Sequence, residues 1–162
     1  MEFGHPASAG GHSRIVQTSG NVAIYYEQNR GGTYRNIPVD GRPHLTPSIR
    51  QWLGDSIGHW EGDTLVVEVM NFSDWTNYHG SGGNLHLVER FARVAADTIQ
   101  YRVTVHDPAT FTSPWTIEVP LTKADEKSNQ IFENACNEGN RALANILAGA
   151  RALERETAAA AR

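Results

Sequence analysis

The sequence predicts a mainly β protein: a small antiparallel barrel with one C-terminal α-helix, with a two-sheet sandwich as the alternative arrangement of the same strands. Three observations carry this expectation. Short runs in which apolar and polar side chains alternate recur along the chain, the pattern of strands that bury one face. Turns rich in Gly, Asn and Asp separate those runs. Near the C-terminus the period changes, with Leu143, Ile146, Leu147, Ala150 and Leu153 at helical spacing in an alanine-rich stretch.

A chain of 162 residues, 40% of them hydrophobic, forms one globular domain long enough to bury a core. Residues 1–13 are rich in Gly, Ala, Ser and His without a period, and read as a loose arm. Residues 14–153 make the domain, and 154–162 carry little that is apolar and read as a fraying tail. A net charge of -4 without clustered Lys and Arg argues against nucleic acid as a partner. There is no apolar run of bilayer length and no basic-then-apolar leader, so a soluble chain is expected, with no membrane partner. A mature secreted chain has the same appearance. Cys136 is the only cysteine, which excludes an internal disulfide and a multi-cysteine zinc site and suits a small buried hydrophobe.

Taken in order, Ile15 opens a short strand that turns at Thr18-Ser19-Gly20-Asn21 into a second, where Val22, Ile24 and Tyr26 share one face. Asn29-Arg30-Gly31-Gly32 turns again, and Tyr34 to Val39 makes a third strand closed by Asp40-Gly41. Prolines 43 and 47 flank His44 and place it on a rigid loop, while Thr46-Pro47-Ser48 suits the start of a short helical turn carrying Ile49, Arg50 and Trp52. Gly54-Asp55-Ser56 reads as a turn, with a strand beginning at His59-Trp60. Thr64 to Val69 is apolar on both faces and should be central in its sheet. Residues 71–84 are loop-like, with Phe72, Trp75, Tyr78 and His79 ahead of a glycine-rich stretch, and suit either a binding rim or a packed surface loop.

The densest chemistry lies between Asn84 and Leu121. Alternation puts Leu85, Leu87, Glu89 and Phe91 on one face and His86, Val88, Arg90 and Ala92 on the other. Val94-Ala95-Ala96-Asp97 links this run to Ile99, Tyr101, Val103 and Val105, an antiparallel hairpin that Asp107-Pro108 ends. Trp115, Ile117, Val119 and Leu121 form the apolar face of a last strand, whose Pro120 suits a sheet edge. A lipocalin-like barrel with the C-terminal helix packed against its sheet fits this order of elements.

Glu89 is the sharpest candidate. A carboxylate among Leu87 and Phe91 is desolvated, which favours its neutral form and suits a general acid or base. The structural alternative is an ion pair, with Arg90, Arg93 or Arg50 as partner. His44, His79, His86 and His106 are the imidazoles of interest, because imidazole changes charge near neutral pH. Since His86 and Glu89 face opposite ways, Glu89 would have to work with His44. A metal centre needs three converging ligands, such as His79 and His86 with His44, and no recognised spacing supplies them. Asp55 and Asp107 suit turn capping, and a Ser56, His44 and Asp107 triad lacks any nucleophile-elbow sequence.

The residues admit three functional classes. One is a hydrolase of small organic esters or related molecules, with Glu89 and His86 or His44 transferring protons and Arg50 steadying negative charge. Another is a non-catalytic barrel binding a hydrophobic or carbohydrate ligand through Trp52, Trp75, Tyr78, His79 and Tyr101. The last is a metal-dependent enzyme with a histidine-rich site. The expected partner is a small molecule, without an organic cofactor, and a homodimer is admissible.

The blocks IPVDGRPH, RQWLGDSIGHWEGDTLVVEV, NLHLVERF and DPATFTSPWT resemble the recurring signatures of a large uncharacterised family of secreted bacterial proteins common in acidobacteria. The resemblance spans Ile15 to Ala150 and implies an exported, single-domain β protein, with no reaction attached. At positions 79 and 137 this chain has His and Asn where that family often has Arg and His, so no family-wide role is carried to either position.

Overall fold

The computed structural model describes residues 13–26, 33–125, 127 and 141–160. The arm before Ser13, the Asn29 to Gly32 turn, Cys136 and Asn137 lie outside the described residues.

Among the described residues, eight strands follow one another as antiparallel meanders in two sheets. β1 (Ser13–Gln17), β2 (Asn21–Tyr26) and β3 (Thr33–Pro38) form the smaller sheet in that order. The turn between β1 and β2 is the expected one, with Thr18 N donating to Asn21 O at 2.9 Å. β4 (Asp55–Glu61), β5 (Thr64–Met70), β6 (His86–Ala95), β7 (Thr98–His106) and β8 (Trp115–Thr122) form the larger sheet, again in sequence order. β5 lies between β4 and β6, and its Leu65, Val66, Val67 and Val69 are all buried, as an apolar run on both faces requires. β8 is an edge strand, so Pro120 costs the sheet no ladder bond on its open side.

The inward faces of the two sheets share one core. Val22, Ile24, Tyr26 and Ile37 come from the smaller sheet, and Leu65, Val67, Val69, Leu87, Phe91, Tyr101, Val103 and Val105 from the larger. Cross-strand register puts Glu89 in the middle of this apolar set, opposite Val67 on one side and Val103 on the other. β3 approaches β4 at Gly58, where a Cβ would stand 2.9 Å from both Ile37 Cγ2 and Val39 Cγ1. The contact is made by side chains, and no ladder joins the two sheets among the described residues. The described strands therefore form two separate sheets and not a closed ring, an arrangement compatible with the two-sheet alternative.

Three local expectations change. β4 begins at Asp55, before His59, because the left-handed turn is completed at Gly54 (φ +70°) and Asp55 already pairs with Met70. Thr46-Pro47-Ser48 makes an isolated turn, closed by Ile49 N to Thr46 O at 2.9 Å, and does not continue into a helix. The C-terminal helix, α1 (Ala142–Ala160), includes residues 154–160. Its apolar stripe does not pack on the sheet: Leu143 is 70% exposed and Leu153 65% exposed. Helical spacing defines an apolar face, but nothing in the spacing supplies its partner. Among the described residues no helix is long and apolar enough to cross a membrane.

Candidate functional site

Glu89 is held by three donors. Both terminal nitrogens of Arg35 on β3 reach it, Nη1 to Oε1 at 3.0 Å and Nη2 to Oε2, and the Tyr101 hydroxyl donates to Oε1 at 2.8 Å. Glu89 is 1% exposed. Burial by itself would lower the Arg35 pKa, but the adjacent Glu89 carboxylate outweighs it and keeps Arg35 cationic. Burial, reinforced by Glu89, pushes the Tyr101 hydroxyl up. Tyr26 is pushed up to about 12, chiefly by burial, with Arg35 acting in the opposite direction and Glu89 in the same one.

The partner is thus none of the three arginines the sequence offered. Arg90 pairs with Glu61 on the outward face, Arg93 donates to Ala95 O and Ala96 O, and Arg50 serves another loop. Arg35 was legible only as a cation on the inward face of an alternating strand. A lone buried cation and a lone buried anion on different strands call for each other, but nothing in local spacing joins them.

The histidines expected to serve Glu89 lie elsewhere. His44 Nδ1 is 2.8 Å from Asp55 Oδ2, and its Nε2 is 3.7 Å from Glu68 Oε2. Glu68 Oε1 is 2.8 Å from His86 Nε2, and the His86 and His106 rings are 6.4 Å apart. Asp55, His44, Glu68 and His86 form a chain of hydrogen bonds and charges on the outward face of the larger sheet, the face opposite Glu89. Neither His44 nor His86 reaches Glu89, which corrects the expected pocket. Glu68 takes the carboxylate position there. Asp55 also accepts from Leu45 N at 2.9 Å, so it fixes the His44 loop as well as the ring.

The triad is likewise taken apart. Asp107 accepts from the Ser81 and Thr110 hydroxyls and from Ala109 N, far from any partnership with His44, which bonds Asp55. Burial would raise the Asp107 pKa, yet these donors together hold it below the ordinary carboxylate value. The capping role expected of Asp107 is what the geometry contains.

Arg50 clamps the 71–84 loop. Its Nη1 donates to Gly83 O at 2.8 Å and Phe72 O at 3.1 Å, with Asp74 Oδ1 at 3.4 Å. Phe72, Thr76, Tyr78 and Ser81 are buried, so this is a packed loop and not an open rim. Tyr78 stacks on Trp115 with centroids 6.4 Å apart, and the ring of His79 meets both edge-on. Burial, then Glu89, pushes the Tyr78 hydroxyl up to about 12. Tyr78 and Tyr101 are therefore core residues and do not present a surface to a ligand. Trp75 is 83% exposed, while Trp52 stands in a cleft of about 690 Å³ of mixed lining, beside Tyr34, Leu45, Arg35, Arg42, Arg50 and Asp55. No group of three or more His, Cys, Asp or Glu that could hold a metal ion occurs among the described residues.

A different cavity opens between the sheets, with a volume of about 570 Å³. Ile15, Val22 and Ile24 line it from the smaller sheet, and Trp60, Leu65, Phe91 and Ile99 from the larger, with Gln17, Asp63 and Arg93 as polar lining residues. Nothing among protein-family models, curated proteins or solved structures matches the chain. The site must be read from its own geometry. The sequence signal for this cavity is weak, because Ile15, Ile24 and Phe91 read as ordinary core positions until the sheets leave space between them.

Proposed function

We propose that the protein binds a hydrophobic small molecule in the cavity between its two sheets. The cavity itself carries this reading: a volume of about 570 Å³ falls within the range of roughly 300–1,000 Å³ typical of small-molecule sites, and Ile15, Val22, Ile24, Leu65, Phe91 and Ile99 supply apolar wall on both sheets. The ion pairing of Glu89 supports binding over acid-base chemistry, since Arg35 and Tyr101 already occupy both of its carboxylate oxygens.

Titration with the neutral probe N-phenyl-1-naphthylamine tests the reading. Saturable fluorescence enhancement is expected, and Ile99→Trp, which fills the cavity from β7, should weaken it at least about tenfold. Absence of saturation, or equal binding by a folded Ile99→Trp protein, rules the reading out.

The Asp55, His44, Glu68 and His86 chain favours a second reading, a small-molecule hydrolase on the outward face. His86, with Nε2 oriented by Glu68, would act as general base towards water. Turnover of carboxylic and phosphoric esters that is lost in Glu68→Gln supports it. No turnover by the wild type removes it.

A further inference from the structure

A second concavity, the cleft of about 690 Å³ beside Trp52, shares no lining residue with the cavity between the sheets. Tyr34 and Arg35 reach it from β3, Arg42, Leu45, Arg50 and Trp52 from the segment that follows, and Asp55 from β4. Large apolar side chains are left open to water here: Tyr34 is 71% exposed, Trp52 54% and Leu45 41%. Single exposed apolar residues are ordinary on a protein surface, but several gathered in one concave place mark a contact site.

The charge of the cleft runs against that of the chain. The whole sequence carries a net charge of -4, yet the charged residues lining the cleft are Arg35, Arg42, Arg50 and Asp55. Asp55 is engaged, with its Oδ2 held by His44 Nδ1 and Leu45 N. Arg35 is committed to Glu89. Arg42 spends Nε and Nη2 on Asp40, but both side chains of that pair are exposed, so water screens it. Arg50 uses Nη1 alone, and neither its Nε nor its Nη2 has a hydrogen-bond partner among the described residues.

A guanidinium with N–H groups to spare pairs best with a carboxylate, whose two oxygens match its planar fork. Trp and Tyr rings favour a flat apolar partner. The side chains of Leu45, Pro38 and Pro43 add wall that offers no hydrogen bond to a sugar hydroxyl, which favours an aryl ring over a carbohydrate. We propose that this cleft binds a small aromatic carboxylate, with its ring against Trp52 and its carboxylate met by Arg42 and Arg50. The site is independent of the binding reading for the cavity between the sheets, and either stands without the other.

Calorimetric titration with 2-naphthoate and with its uncharged counterpart, 2-naphthamide, at neutral pH tests the site. The wild type is expected to bind the acid about tenfold more tightly, the worth of one charge-assisted hydrogen bond. Arg42→Gln should weaken the acid about fivefold and leave the amide within about twofold. Trp52→Leu, which keeps apolar bulk but removes the ring face, should weaken both ligands by about threefold or more. Ile99→Trp, which fills the other cavity, should leave naphthoate binding unchanged. Absence of naphthoate binding, or an acid bound no more tightly than the amide, overturns the inference. So does naphthoate affinity that survives intact in either Arg42→Gln or Trp52→Leu. Loss of naphthoate binding in Ile99→Trp moves the ligand to the cavity between the sheets and overturns it too, and glucuronate bound as tightly as naphthoate overturns the aromatic class. Arg42 and Trp52 are exposed, so both variants should fold; were one not to, the wild-type ratio of acid to amide decides the matter.

Discussion

Arg35 on β3 and Glu89 on β6 form a two-bonded ion pair that ties the smaller sheet to the middle strand of the larger one. The pair sits in the shared core, beside Ile24 in the register of the smaller sheet and between Val67 and Val103 in the larger. Its role is structural. Removing one partner strands the other charge in an apolar interior, while removing both leaves no buried charge without a counter-charge.

Glu89→Gln is accordingly expected to destabilise the fold by about 3–5 kcal/mol, because Arg35 loses its counter-charge. The double replacement Arg35→Met with Glu89→Leu should cost clearly less than the two single changes summed. Urea unfolding of the four proteins measures the coupling. Additive costs would mean that the pair contributes no interaction of its own.

Alkaline titration reads the same interior. Tyr26 and Tyr78 are pushed up to about 12 by burial, so the fold favours their neutral forms. That stability is fully present below pH of about 10, the ordinary phenol value, and is lost as pH rises through the folded value of about 12. Absorbance of phenolate near 295 nm should show a late step coinciding with loss of near-ultraviolet circular dichroism. Tyr26→Phe should reduce its amplitude, and an unaltered trace in that variant would contradict the assignment.

Asp107 contributes to the acid dependence of stability. Its pKa is lowered by the Ser81 and Thr110 hydroxyls and by backbone N–H groups, against the effect of burial. The stability it contributes is present above the ordinary carboxyl value of about 4 and disappears as pH falls through the depressed folded value. Asp107→Asn, which keeps the shape but not the charge, should cost about 1–3 kcal/mol at neutral pH and flatten the loss of stability on acidification. Parallel acid dependence in the two proteins would exclude Asp107 as the cause.

The exposed stripe of α1 makes the opposite expectation. Since Leu143, Ile146 and Leu153 are more than half exposed, Leu143→Glu and Leu153→Glu should shift the unfolding of the sheets by no more than about 0.5 kcal/mol. The fluorescence midpoint in urea checks this. A loss of several kcal/mol would show that the stripe is packed in solution.

Most of the strands could be read from alternation, because a side chain that must avoid water on one face leaves a period of two that no other local structure imitates. β6, β7 and β8 were legible on that ground, and so was the assignment of His86 and Glu89 to opposite faces, while the C-terminal helix was legible from its helical spacing. Turn chemistry was less certain. Gly54 and Asp55 look alike as turn formers, although only the glycine occupies the left-handed region and Asp55 belongs to β4.

Partnership across elements is where alternation stops. Arg35 and Glu89 are 54 residues apart, and His86 and Glu68 are 18 apart, so their pairing depends on how the sheets stack and on strand register. The same holds for the cavity. Ile24 and Phe91 are apolar on an inward face whether the facing sheet fills the space beside them or leaves it open, because periodicity specifies a direction and carries no distance.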